Sequence, residues 1–157
     1  MARLRSIPRK IVRYARLAPA RRALLVEAAL WLALARLAMV FLPFRWIAGH
    51  LGVLVSHMDV VSEAASRSSQ KDGYLAGEIG WAVRRAAQNL PFRAVCLPQA
   101  IAAKAMLKRR DVASVLHFGV AKGTTKPLDA HAWLDAAGVE VTGYPIAAKF
   151  TEVARFV

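Results

Sequence analysis

Apolar residues recur at three- and four-residue spacing over 21–42, at Leu24, Leu25, Ala28, Trp31, Leu32, Ala35 and Met39, before Pro43 ends the run. That period predicts the longest helix of the chain. Its apolar residues cover most of the circumference, so it must bury against neighbouring helices or a partner. A second helix is expected over about 45–57, with Trp46, Ile47, Leu51, Leu54 and Val55 as its core face. A third, about 75–89, sets Ile79, Ala82, Val83 and Ala86 on one face and Arg84 and Arg85 off it, and Pro91 breaks the chain after it. The most polar stretch, 66–73 (SRSSQKDG), predicts a surface loop separating the N-terminal helices from the remainder of the chain. Trp31, Trp46 and Trp81 fall within helical patterns and are read as core.

A fourth helix is expected after Cys96. Ala, Ile, Met and Leu favour it, Pro98 fits its first position, and Lys108, Arg109 and Arg110 suit its C-terminal dipole. Then the period changes from helical to alternating. Residues 112–120 are rich in β-formers, 121–128 read as a turn or loop, 129–135 as a second strand, 136–138 (AAG) as a hairpin turn and 139–142 as a third strand. The fold class is therefore α+β: a helical N-terminal region, 1–65, followed by a core, 74–157, in which the Cys96 helix packs on an antiparallel sheet.

Composition narrows the classes. A chain of 157 residues holds one domain with a real core, and its 57% apolar content argues against general disorder. With one cysteine there is no internal disulfide, so a cytoplasmic location is the default. The net charge is +13, and eight basic residues, from Arg3 to Arg22, precede the first acid, Glu27. Such an excess attracts something acidic: nucleic acid, anionic lipid, or an acidic peptide or protein. Residues 1–18 place Ile7, Ile11, Val12, Tyr14 and Leu17 among arginines. They read as a solvated basic arm, a peripheral membrane-surface helix or a docking surface. Glu27, Arg36 and Arg45 interrupt the following apolar run, against a simple transmembrane anchor but not against membrane contact.

The chemistry centres on 94–100, AVCLPQA. Cys96 stands at the predicted helix start, among unpaired N–H groups that favour a nucleophilic thiolate. In the second strand, alternation puts His131, Trp133 and Asp135 on one face and Ala130, Ala132 and Leu134 on the other. A cysteine at a helix start with a histidine on a strand is the arrangement of papain-like thiol hydrolases. There the imidazole takes the thiol proton and later protonates the leaving amine.

The residues Cys96-Leu97, Lys108-Arg109-Arg110, Phe118-Gly119-Val120 and Ala130-His131-Ala132-Trp133, in this order, resemble the lasso peptide leader-processing proteases of the transglutaminase-like superfamily. The resemblance continues upstream through Leu24 to Ala28, Arg36 to Ala38 and Leu42 to Arg45, so it covers nearly the whole chain. It implies a cysteine protease, with Cys96 as nucleophile and His131 as base, that cuts the leader from a ribosomally made precursor. An ATP-dependent cyclase resembling asparagine synthetase then uses the freed amine to close the ring. No cofactor and no metal are expected for the cleavage, and the part ATP plays in this step is not read from the sequence. It also implies a separate leader-binding protein, because the strands of the leader-binding module fused to some members are not read in 1–60; the basic, apolar N-terminal half would then be its docking surface.

The chain departs from that family pattern at the third catalytic position. An acid is expected about a dozen residues after the histidine, where this sequence has Thr142-Gly143. Asp135 shares the strand face with His131 but stands four residues along, roughly 13 Å at strand rise. Asp129, Glu140, Thr142 or a backbone carbonyl could orient the imidazole only with local irregularity. His50, His57, Asp59 and Glu63 complete no metal site. His117 faces either the site or solvent, Trp133 either lines the cleft or packs in the core, and Gln99 offers an oxyanion role. Two other readings compete: a transglutaminase-like acyltransferase with the same thioester logic, and a non-catalytic basic helical protein that binds membrane or nucleic acid.

Overall fold

A computed structural model describes residues 14, 17–50, 52, 69–123 and 127–157. In chain order the elements are α1 (Pro19–Phe41), α2 (Phe44–His50), α3 (Gln70–Ala87), α4 (Cys96–Lys108), β1 (Ser114–Lys122), β2 (Leu128–Ala136), β3 (Val139–Thr142) and β4 (Thr151–Phe156). The strands form one antiparallel sheet in the order β3-β2-β1-β4. The α+β class expected from the pattern is the one observed.

One core joins the helices to the sheet. Leu32 of α1, Ile79 and Val83 of α3, and Ala102, Ala103 and Met106 of α4 bury against Leu116, Ala132, Leu134 and Val141 of the strands. Small residues dominate the inward face of α4, which lets the helix lie close on the sheet. The third helix buries the Ile79, Ala82, Val83 and Ala86 face that its period predicts.

Several expectations change. Helix α3 starts at Gln70, inside the stretch expected to be a loop, because Ser69 and Asp72 form a reciprocal capping box. Capping outweighs the polar composition of 70–73 there. Trp46, expected in the core, is 59% exposed, while its neighbour Ile47 is buried. Leu51, Leu54, Val55 and His57 lie outside the described residues, as does most of the arm at 1–18. The long helix buries only one face, through Ala28, Leu32 and Ala35. Strand β4, which the sequence pattern does not announce, pairs with β1 and forms an edge of the sheet.

Ion pairs fasten α1 to the body. Arg110 donates to both carboxylate oxygens of Glu27 at 2.6 and 3.1 Å. Arg21 does the same to Glu78 at 2.7 Å and stacks over Trp81. The Arg110 hydrogen bond holds Glu27 below the ordinary carboxylate range, against the opposing effect of burial. Within the C-terminal half of α4 the buried Lys104 donates to the carbonyls of Ser114 and Phe156 at 2.9 and 3.2 Å, tying the helix to β1 and β4.

Replacing Ser69 by alanine removes the side-chain acceptor from the start of α3. The expected cost is about 1 kcal/mol, read from the urea midpoint at constant m-value.

Candidate active site

Cys96 is the first residue of α4, with Val95 as an N-cap that makes no side-chain hydrogen bond. The helix therefore begins two residues before the position that Pro98 suggested. Proline is tolerated anywhere in the first turn, where N–H groups have no intrahelical acceptor. Pro98 carries no N–H, so the amides of Cys96 and Leu97 are the donors left at the helix start, beside a half-buried thiol. Gln99 donates its side-chain amide to the carbonyl of Ala94 at 2.7 Å, bracing the 93–95 segment. That bond, rather than an oxyanion contact, is the use the structure makes of Gln99.

The chain reverses after α4 through Asp111, at φ 56°, with the amide of Val112 bonded to the carbonyl of Leu107. Helix α4 then lies against β1, and Lys104 stands beside Ser114. Eight residues of helix back to Cys96 measure about 12 Å, or between three and four residues of strand. The thiol is thus roughly level with the Phe118–Ala132 pair, midway along the β1–β2 ladder and one residue from the level of His131.

His131 and Trp133 occupy the sheet face turned away from the helices, because Ala132 and Leu134 between and beside them enter the shared core. The imidazole Nε2 of His131 lies 2.6 Å from the carbonyl oxygen of Gly143. A carbonyl only accepts, so Nε2 carries the proton and, in the neutral ring, Nδ1 keeps its lone pair. The orienting group is thus a backbone carbonyl, twelve residues after the histidine, in place of the carboxylate. The irregularity it requires is present. The β2–β3 register shifts at Leu134/Asp135, and Gly143 has φ +86°. A Cβ on Gly143 would stand 2.7 Å from Cα and Cβ of Trp133 and closer still to the Ala132 carbonyl. An aspartate cannot take this conformation without displacing β2.

Among the described residues no hydrogen bond joins the Cys96 thiol to His131. The thiol stands on the helix side of the sheet and the imidazole on the opposite face, and the two do not touch. His131 is packed between rings instead, with Phe150 at 5.1 Å and Trp133 at 6.0 Å between centroids. Gly119, opposite His131 in the ladder, leaves space for the Trp133 ring, whose Cζ3 would lie 2.8 Å from a Cβ there.

Residues 38–155 match the family model of the transglutaminase-like superfamily. The chain belongs to that superfamily. No curated protein and no solved structure matches it. Transglutaminase-like proteins include cysteine peptidases and acyltransferases, which share thioester chemistry at a cysteine.

In this transglutaminase-like domain a second histidine lies beside the first on the same sheet face. His117 is buried and stacked parallel to Trp133 at 5.4 Å. Its Nε2 meets Asp135 at 3.2 Å and its Nδ1 meets Glu152 at 2.8 Å. Burial alone would lower its pKa, but the hydrogen bonds and charges of Asp135 and Glu152 outweigh that and raise it. Arg155 in turn donates to Glu152 and, with His117, holds that carboxyl below its usual range. The Tyr144 hydroxyl donates to Asp135 at 2.5 Å; burial first, and then this carboxylate, keep the phenol protonated.

The alternatives for Asp135, His117 and Trp133 are thereby resolved. Asp135 serves His117, not His131. Trp133 is buried between the two imidazoles, and His117 is buried on the same sheet face as His131. Asp129 pairs with Lys149 at 2.8 Å. No group of three His, Cys, Asp or Glu side chains among the described residues is placed to hold a metal ion. The ring column was hidden because its members come from β1, β2 and the 143–150 segment, which no local pattern links.

Gly143→Ala combines a left-handed backbone with a clash against β2 and should cost about 2 kcal/mol or more, measured by denaturant unfolding.

His117 has a folded-state pKa above its unfolded value of about 6.5, so its contribution to stability is complete below that pH and is lost as pH rises through the folded value. Urea midpoints measured across neutrality into the alkaline range should fall for the wild type and be flatter for His117→Gln. Equal slopes would mean that the imidazole is not charged in the fold.

Proposed function

We propose that this transglutaminase-like protein is a cysteine peptidase that removes the leader from a ribosomally made lasso peptide precursor. The observation that carries the reading is a thiol at the first residue of α4 in a transglutaminase-like domain, joined in sequence to the Ala130-His131-Ala132-Trp133 strand. His131, held in the Nε2–H form by Gly143, supports it by leaving Nδ1 as the basic nitrogen.

In the proposed reaction Nδ1 of His131 takes the Cys96 proton while Sγ attacks the carbonyl at the leader–core junction. The amides at the start of α4 stabilise the oxyanion. The imidazolium protonates the leaving amine, which becomes the N-terminus of the core. Water then attacks the leader thioester, giving its proton to His131, and the thiol is released as the leader leaves with a free carboxylate. The structure holds the two groups on opposite faces of the sheet, so this step requires a rearrangement around His131 when substrate binds. The steps require no metal or cofactor.

The partners in this reading are the precursor leader, a separate leader-binding protein, and a cyclase resembling asparagine synthetase that takes the freed amine. The place of action is the cytoplasm. Acyl transfer to an amine is the second reading, because family membership covers it equally.

Purified precursor and leader-binding protein, incubated with the full chain, should yield leader with a free C-terminal carboxylate by mass spectrometry. Cys96→Ala and His131→Gln should each lower the rate by about a thousandfold or more. Undiminished cleavage by Cys96→Ala would remove the nucleophile, and a leader joined to an added amine would establish the acyltransferase instead.

A further inference from the structure

Helix α1 has two faces of opposite fate. Ala28, Leu32 and Ala35 lie in the core. On the other side Val26, Leu30, Leu34, Leu37 and Phe41, spaced three and four apart, are between 51% and 76% exposed. Successive members fall within one stripe that runs from Val26 to the C-terminal end of the helix without a polar interruption. The most apolar 18-residue window has a mean hydropathy of 2.0, with only 17% of it buried. Monomeric soluble proteins rarely leave so long an apolar stripe uncovered.

The charges nearby are of one sign. The acids beside α1 are engaged within the chain, Glu27 by Arg110 and Glu78 by Arg21. Arg36 and Arg45 are exposed on the flank and at the end of the stripe, and eight basic residues precede Glu27 in a chain of net charge +13. An apolar stripe rimmed by cations matches an anionic bilayer, whose headgroups pair with the arginines while the acyl boundary takes the leucines.

We propose that the outward face of α1 docks the protein on an anionic lipid surface, lying in the plane of the membrane. Length and apolar composition alone would let α1 cross a bilayer. Crossing, however, would withdraw Leu32 from the core and break the Glu27–Arg110 and Arg21–Glu78 pairs, leaving their charges in hydrocarbon. Lying flat leaves these contacts intact. The proposal is independent of the peptidase reading, since none of these residues belongs to the site.

The test is co-sedimentation of the full chain with vesicles of phosphatidylcholine alone and of phosphatidylcholine mixed with phosphatidylglycerol. Binding to the mixed vesicles should be at least tenfold tighter than to the neutral ones and should weaken as salt is raised. The variant Leu34→Glu/Leu37→Glu changes only exposed positions and should retain the wild-type circular dichroism and thermal midpoint. It should bind the mixed vesicles at least tenfold more weakly. No binding to mixed vesicles, or equal binding by the variant, overturns the proposal. So does a dimer, or a complex with the leader-binding protein, that the variant abolishes while vesicle binding is unchanged.

Discussion

Strand β2 is the constraint on which the rest depends. It is an interior strand, paired with β1 on one side and β3 on the other, and its side chains alternate between two environments. Ala132, Leu134 and Ala136 form part of the floor on which α3 and α4 pack. His131, Trp133 and Asp135 form the opposite face, where each meets a different partner. A slip of one residue would exchange the two sets, burying two ionisable groups under the helices and exposing the core. The small alanines and the long polar side chains therefore fix the register together.

That far face is organised by rings and carboxylates rather than by a catalytic triad. Trp133 lies between His117 and His131, and Phe150 lies on the other side of His131. Parallel and near-parallel ring pairs of this kind contribute about 0.5–1.5 kcal/mol each beyond their buried area. The two carboxylates, Asp135 and Glu152, are drawn to His117, whose burial would otherwise disfavour charge. His131 receives only a backbone carbonyl. Its orientation is set by Gly143 and the ring stack, with the carboxylates directed elsewhere.

The helical layer shows how one polar group is kept inside an apolar core. Lys104 is buried on α4, and desolvation, with the nearby Lys108 charge, lowers its pKa to about 8. The carbonyls of Ser114 and Phe156 satisfy its amine, so the helix that carries Cys96 is fastened to β1 and β4. The Glu27–Arg110 pair extends this linkage to α1. The thiol thus stands on an element anchored at several points, as a reacting group requires.

Local pattern determined a good deal. The 3.6-residue period of α1 and α3, the helix after Cys96, the AAG turn and strand β3 are legible because each is specified by neighbours in the chain. The start of α3 was obscured by polar residues whose capping role depends on Ser69 and Asp72 meeting across one turn. Strand β4 was hidden because it lies at the sheet edge and half its residues are polar. The superfamily was legible from short motifs in order, since these encode the thiol-bearing helix and the histidine strand.

What only the tertiary structure decided concerns groups far apart in sequence. Alternation along β2 put Asp135 on the His131 face, but β1 supplied the histidine that claims it and β4 the second carboxylate on that histidine. Nor could a sequence show that a glycine serves where an acid is expected. A backbone carbonyl has no signature in residue type, and its aim depends on the positive φ of Gly143 and the shifted β2–β3 register. Likewise the composition of α1 gave its apolarity, while packing alone chose which face is covered and which is left outside.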